Sequence, residues 1–111
     1  MTVDTRQIEP GIAIVTVTGR LTIGRELDQL VAAVQNLLGQ QQKKIVFDIS
    51  GLDYLDSAGI GTLVSCVSQI KKSGGTLRIA GANPRVQRLI DMTGVGDILS
   101  MYATVADAAA G

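Results

Sequence analysis

A serine that closely follows two aspartates is the most chemically informative feature of this 111-residue sequence. Ser57 stands at the start of a predicted helix, where free backbone N–H groups and the positive end of the helix dipole favour an anionic group. Asp53 and Asp56 lie beside it, and Asp48 belongs to the preceding predicted strand. A phosphate on Ser57 would add about 1.5 to 2 negative charges to this acidic neighbourhood. One interpretation is therefore a phosphorylated serine that the backbone tolerates and an approaching partner does not.

A simpler structural interpretation of the same residues stays open. In it, Asp56 or Ser57 merely caps the helix, and Gly59 and Gly61 pack against a neighbouring strand. Each glycine costs roughly 1 kcal/mol in a helix interior relative to alanine, which indicates that another backbone or a partner approaches this turn closely. Residue types and spacing alone favour the simpler interpretation, because helix caps are far commoner than phosphorylation sites.

The composition argues against an enzyme. The chain has no histidine, which excludes Ser-His-Asp and Cys-His nucleophilic systems, two-histidine metal sites and imidazole bases. Leu55 stands where a nucleophile elbow around Ser57 needs glycine, and no glycine-rich phosphate-binding pattern occurs. Cys66 falls between apolar residues and is interpreted as a small core or half-buried residue. We therefore predict no catalytic residue, no metal and no cofactor.

Charge and hydropathy exclude two further classes of protein. Ten basic residues balance ten acidic ones, and one Phe, two Tyr and no Trp leave no stacking platform for nucleic acid. The apolar runs are only a few residues long, far below the ~20 that span a bilayer. A single cysteine and the lack of a secretory signal favour a reducing compartment. We expect a cytoplasmic protein with no direct nucleic-acid binding and no membrane insertion.

The charges are unevenly distributed despite the neutral total. Five basic residues and no acidic one lie between positions 71 and 88: Lys71, Lys72, Arg78, Arg85 and Arg88. Negative charge instead collects around Ser57. The basic residues are interpreted either as an ordinary solvated face or as a polar rim that orients a protein partner on the acidic loop.

The apolar pattern predicts alternating strands and helices along the whole chain. Strands are predicted over residues 2–8, 12–18, 45–49, 76–80 and 97–101, and helices over residues 25–38 and 57–72, after Asn83-Pro84 and after Thr104. A turn at Pro10-Gly11 joins the first two strands. The order β-β-α-β-α-β-α-β-α, with no linker or repeat, predicts one α/β domain over residues 1–111. Its sheet is expected to be mixed and mainly parallel, with an antiparallel N-terminal edge strand and about four helices.

Binding sites in such sheets gather in the loops outside the carboxyl ends of the strands. Here these loops are residues 19–24, 50–57 and 81–84, and the stretch after Met101. We therefore expect Ser57 to meet the other loops at one end of the sheet.

Several consecutive segments resemble a known family. They are Val46-Phe47-Asp48-Ile49-Ser50-Gly51-Leu52, Asp56-Ser57-Ala58-Gly59-Ile60, Gly74-Gly75-Thr76-Leu77 and Ala80-Gly81-Ala82-Asn83-Pro84. Together they resemble a STAS domain of the anti-sigma factor antagonist type, over essentially the whole chain. Ser57 matches the position that is phosphorylated in that family.

The resemblance implies a bacterial partner-switching protein with a STAS-like fold. The unphosphorylated form would bind an anti-sigma factor and free its sigma factor, and phosphorylation of Ser57 would break the complex. The partner would commonly also be the serine kinase, and a separate serine phosphatase would restore binding. Because the loops share one end of the sheet, we expect a partner surface of Asp56, Ser57, Ala58, Gly59, Ile60, Leu63, Arg20, Thr22, Gly81, Asn83 and Arg85.

One departure from the family pattern concerns the loop after the second strand. Members often carry Gly-x-Leu-Asp there, whereas this chain has Gly19-Arg20-Leu21-Thr22, with Thr22 in place of the aspartate.

Two other functions also stay open. One is a STAS subunit that docks on a membrane transport complex without a phosphorylation switch, and the other is a small nucleotide-binding or hydrolysing protein.

Overall fold

An antiparallel pair of long strands begins the fold. The computed structural model describes residues 2–40 and 42–110. Its elements, in chain order, are β1 (Thr2–Glu9), β2 (Ile12–Leu21), α1 (Arg25–Gly39), β3 (Lys44–Asp48), β4 (Leu52–Leu55), α2 (Ser57–Lys72), β5 (Thr76–Ala80), α3 (Pro84–Met92), β6 (Met101–Tyr102) and α4 (Val105–Ala110). The predicted turn before β2 is confirmed: Gly11 has φ +83°, in the left-handed region that favours glycine.

The sheet is mixed and mainly parallel, as predicted. Its strand order is β1-β2-β3-β5-β6, with β4 paired to β2 off this path. Only the β1–β2 pair is antiparallel among the described strands. The apolar run of β3 lies at the centre, and its residues Ile45, Val46 and Phe47 are fully buried. Parallel strands end at the same edge, so the loops after β2, β3 and β5 all lie at the carboxyl edge of the sheet.

The helices cover the two faces of the sheet unequally. Helices α1, α2 and α3 pack on one face, where Leu30, Leu63 and Ile90 belong to the main apolar core. The short α4 covers the other face, where Ala108 packs with Ile14. Thr104 begins α4 by accepting the Asp107 N–H at 3.1 Å, as the sequence predicted. Among the described residues, no helix has the length and apolar character needed to cross a bilayer.

Two predicted element boundaries are wrong. The segment between β3 and α2, predicted as a loop, contains β4, whose four residues are too few to show a periodic pattern and pair only with the end of β2. The predicted strand over residues 97–101 is a series of turns that ends in β6. Ser100 has φ +48°, a left-handed conformation that interrupts an extended chain.

Candidate functional site

Asp56, and not Ser57, caps helix α2. The Asp56 carboxylate accepts the Gly59 N–H at 2.7 Å, and its backbone carbonyl accepts the Ile60 N–H at 3.0 Å. Ser57 is the exposed first residue of the helix, and its hydroxyl has no hydrogen-bond partner within the described residues. The helix cap expected in the simpler interpretation is therefore present, and Asp56 provides it. This arrangement leaves the Ser57 hydroxyl accessible.

Neighbouring hydroxyl groups are already engaged. The Ser50 hydroxyl donates to the Asp48 carboxylate at 2.8 Å, and the Thr62 hydroxyl donates to the Ala58 carbonyl at 2.9 Å. Of these three hydroxyl groups at the carboxyl edge, only that of Ser57 is exposed and without an intramolecular partner.

The second Asp56 oxygen joins the Ser57 turn to the loop after β2. It accepts the Ile23 N–H at 3.0 Å, while the Asp56 N–H donates to the Leu21 carbonyl at 3.2 Å. The Ile23 N–H, and after it the Gly59 N–H, lower the pKa of Asp56 below its ordinary value, because both hydrogen bonds favour the carboxylate. A fixed negative charge therefore stands beside the serine at neutral pH.

The two glycines of this turn have different environments. A Cβ on Gly59 would lie 2.3 Å from the Leu21 carbonyl oxygen, so glycine is what allows α2 to approach the end of β2. A Cβ on Gly61 would meet nothing within 4 Å. Packing against a strand thus explains Gly59 and not Gly61.

The loop before α3 meets the same edge of the sheet. The Asn83 side chain caps α3 by accepting the Val86 N–H at 2.9 Å, and its amide donates to the Leu52 carbonyl at 2.9 Å. Gly81 has φ +82°, and a Cβ there would lie 3.1 Å from the Ser50 Cβ atom. The loops 19–24 and 81–84 therefore each contact the segment 50–57 that lies between them.

Two predicted contact residues face the core. The side chains of Ile60 and Leu63 are 6% and 0% exposed, because they lie on the face of α2 that packs on the sheet. Ala58 is half-buried, and Gly59 is buried against β2. We therefore correct the predicted partner surface by removing Gly59 and the Ile60 and Leu63 side chains from it.

Two features of this edge were missed from the sequence. Ile23 is 77% exposed next to Asp56, and an aliphatic side chain in a loop gives no sequence signal of its exposure. The Tyr54 ring lies under Arg20 and Arg85, at 4.9 and 6.0 Å from the ring centroid to the Cζ atoms. Its position depends on the pairing of Tyr54 with Arg20 between β4 and β2.

The basic residues between positions 71 and 88 do not form one face. Arg78 donates to the Ala108 carbonyl at 2.9 Å on the α4 side of the sheet. Lys71 and Lys72 lie at the far end of α2. Of these five residues, Arg85 is the one placed over Tyr54 beside the Ser57 loop.

Nothing in the described residues suggests a metal or thiol site. No cluster of three or more His, Cys, Asp or Glu side chains capable of holding a metal ion occurs among them. Cys66 is buried in α2, and burial raises the pKa of its thiol to about 11. A thiol with so high a pKa is a weak nucleophile at neutral pH.

The fold and the site together define a small α/β domain that presents a serine-bearing loop at the carboxyl edge of its sheet. The STAS domain model matches residues 5–108, and the chain belongs to this family. It is 32% identical over 95 residues to the anti-sigma F factor antagonist of Paenibacillus polymyxa, covering 83% of this chain and 79% of that protein. It is 33% identical over 66 residues to the anti-sigma-B factor antagonist of Bacillus subtilis, covering 60% of this chain and 61% of that protein.

Solved structures share the fold. An anti-sigma factor antagonist from Mycobacterium paratuberculosis superposes with a TM-score of 0.80 at 24% identity, covering 96% of this chain and 89% of that chain. The murine anion transporter Slc26a9 superposes with a TM-score of 0.73 at 24% identity, covering 88% of this chain and 17% of that one. Because both kinds of protein contain this fold, the fold alone does not select between them.

Proposed function

We propose that this STAS domain is an anti-sigma factor antagonist controlled by phosphorylation of Ser57. The unphosphorylated form binds an anti-sigma factor and thereby frees a sigma factor. Phosphorylation of Ser57 ends that binding. The observation that carries the proposal is the Ser57 hydroxyl, which is exposed at the start of α2 while Asp56 performs the capping.

The named relatives support the partner class. Both relatives described above are antagonists of anti-sigma factors, and the first aligns over most of this chain. The role is regulatory, and we propose that the domain has no catalytic activity of its own. Residues 1–111 are proposed to form one STAS domain acting in the cytoplasm, with an anti-sigma factor that is also the serine kinase and with a separate serine phosphatase.

Electrostatics at the start of α2 explains the switch. A phosphate on Ser57 can sit at the positive end of the helix, so the isolated domain tolerates it. Within an interface the same phosphate must lose water beside the ionised Asp56, and an unpaired buried charge costs several kcal/mol. A penalty of about 3 to 4 kcal/mol lowers affinity by two to three orders of magnitude.

The proposed partner surface is formed by the loops that meet at the carboxyl edge of the sheet. It consists of Arg20, Thr22, Ile23, Tyr54, Asp56, Ser57, Ala58, Gly61, Gly81, Asn83 and Arg85. Asp56 and Asn83 act within it mainly by fixing the loops, since their side chains bond to Ile23, Gly59, Val86 and Leu52.

The test measures binding to each purified anti-sigma factor kinase encoded by the source organism. We expect Ser57→Ala to bind as unmodified wild type does, and Ser57→Asp and the phosphorylated protein to bind at least about a hundredfold more weakly. Ser65→Asp is the matched control, because Ser65 is an exposed serine two turns further along α2.

Two results would contradict the proposal. One is a phosphorylated protein that binds as tightly as the unmodified one, which would favour a docking subunit without a switch. The other is mass spectrometry that places the phosphate on Ser50, Thr62 or Ser65 after incubation with the kinase. Thermal melts of all variants separate loss of binding from loss of folding.

A further inference from the structure

Three side chains form a cation–aromatic cluster at the carboxyl edge of the sheet. Arg20 from β2 and Arg85 from α3 both lie over the ring of Tyr54 from β4. The arginines are exposed and the tyrosine is half-buried. We call Arg20 and Arg85 the arginine pair. Contact with one ring holds both guanidinium groups in a limited set of positions at the surface.

The charge of the arginine pair is not neutralised within residues 2–40 and 42–110. Neither guanidinium forms an ion pair with a carboxylate there. Two aspartates lie close to Tyr54 in sequence. Asp53 precedes it on β4, where successive residues point to opposite faces, and both oxygens of Asp56 accept backbone N–H groups, those of Ile23 and Gly59. Two cations held over one ring therefore face solvent without a counter-charge.

Arg85 also lies at a position where the helix dipole disfavours a positive charge. Arg85 is the second residue of α3, and the first turn of a helix disfavours a cation because the helix dipole is positive there. That turn contains no acidic residue to compensate. Residues that are unfavourable for their own element tend to occur at functional sites, which supports a binding role for Arg85.

We infer that the arginine pair binds a carboxylate-bearing segment of the anti-sigma factor, an inference that rests on the proposed function. Guanidinium groups match the planar carboxylate with paired N–H donors. Arginine and tyrosine are also the residue types most enriched among energetically dominant interface positions. Tyr54 is a positioning residue in this arrangement, since it orients the guanidinium groups.

The same placement connects binding to phosphorylation. The Asp56 side chain joins the loop after Arg20 to the first turn of α2, so an acidic segment on the arginine pair would pass near Ser57. A phosphate on Ser57 repels that segment. The arginine pair therefore makes the partner sensitive to added negative charge as well as giving it a point of attachment.

Binding of the cognate anti-sigma factor kinase tests the inference directly. We expect Arg20→Ala and Arg85→Ala each to lower affinity about tenfold, which corresponds to 1.4 kcal/mol. Lys72→Ala is the control, because it removes an exposed positive charge at the C-terminal end of α2, away from the carboxyl edge, and should bind as wild type. The double variant Arg20→Ala/Arg85→Ala should lose most of the salt dependence that wild type shows between about 50 and 500 mM salt.

Tyr54 variants separate positioning from direct contact. Tyr54→Phe keeps the ring and should bind as wild type, whereas Tyr54→Ala frees both guanidinium groups and should weaken binding about as much as loss of one arginine. Equal affinity for wild type and the double arginine variant would overturn the inference and leave the phosphorylation switch of the proposed function standing.

A second experiment uses probes that do not require the anti-sigma factor, and it applies even if no such factor binds. A hexaglutamate peptide, inorganic pyrophosphate and a short single-stranded DNA are each titrated into the protein, with NMR shifts of Arg20, Tyr54 and Arg85 followed. We expect saturable shifts with the peptide that are lost in the double variant. Tighter binding of the DNA or pyrophosphate, or no shifts with the peptide, would overturn the carboxylate assignment. Peptide binding without binding of any anti-sigma factor would contradict the proposed function alone.

Discussion

The Asp56 carboxylate accepts the backbone N–H of Ile23 across two loops that lie 33 residues apart in sequence, at 3.0 Å. Its other oxygen accepts the Gly59 N–H at the start of α2. One side chain thus fixes both the helix that carries Ser57 and the loop that exposes Ile23. This carboxylate therefore helps to fix the position of the serine relative to the neighbouring loop, together with the hydrogen bond from the Asp56 N–H to the Leu21 carbonyl.

We predict that Asp56→Ala lowers the free energy of unfolding by about 1 kcal/mol at neutral pH, the usual cost of losing a helix cap. Asp56→Asn should also destabilise, because an amide offers one acceptor oxygen and the carboxylate uses two. Urea denaturation measures both variants. Asp53→Asn, at an exposed position of β4, is the control and should be close to neutral.

The pH dependence of this effect has a definite sign. The pKa of Asp56 is lowered in the folded state, so the folded protein binds fewer protons than the unfolded chain below about pH 4. The contribution of Asp56 is therefore complete above that pH and is lost as the pH falls through the folded pKa. The stability difference between wild type and Asp56→Asn should shrink on acidification, and a difference that grows would refute this account.

The two glycines of α2 provide a matched pair of substitutions. Gly59→Ala should cost about 2 to 3 kcal/mol, because its Cβ would lie 2.3 Å from the Leu21 carbonyl oxygen and must displace backbone. Gly61→Ala has open space and should instead stabilise the helix by about 0.5 to 1 kcal/mol. Chemical denaturation of both variants checks the pair, and similar effects at the two positions would show that the close approach to Leu21 is not limiting.

The sequence predicted the helices and caps that position the site better than it predicted the side chains exposed there. Helix α2, a cap at Asp56 or Ser57 and the capping Asn83 follow from local rules that spacing and residue type express directly, and the structure assigns the first cap to Asp56. Strand β4 does not, because the four residues from Leu52 to Leu55 gain their extended conformation from pairing with β2. The position of Tyr54 under the arginine pair depends on that pairing, so it was missed as well. The exposure of Ile23 depends on how its loop is held, which only the fold determines.

We predict that Ile23 contributes an apolar contact to the partner interface. Ile23→Asn should weaken binding of the unphosphorylated protein by about tenfold or more, since burying an isoleucine side chain contributes roughly 1.5 to 3 kcal/mol. Met92→Asn is the control, because Met92 is 76% exposed at the C-terminal end of α3, away from the loop that contains Ile23. Both proteins should melt close to wild type. Equal loss of affinity in the two variants would show that Ile23 has no special role.

The last prediction concerns Thr22, which stands where the resembled family often carries aspartate. Thr22 is half-buried between Leu21, whose carbonyl accepts the Asp56 N–H, and Ile23, whose N–H is held by Asp56. A carboxylate at this position adds a negative charge to the loop that contacts the Ser57 turn. Its repulsion of a phosphate on Ser57 becomes stronger where an interface excludes water, and we expect this to change affinity about tenfold.

Thr22→Asp should therefore increase the ratio between the affinities of the unphosphorylated and phosphorylated forms by about that factor, with little change in the unphosphorylated complex. Thr76→Asp is the control, because it adds the same charge at an exposed position at the start of β5, at the other edge of the sheet. Affinities of both forms are measured for each variant, and the repulsion should weaken as salt is added. If Thr22→Asp weakens both forms equally, Thr22 is an ordinary contact residue and the phosphate does not sense its charge.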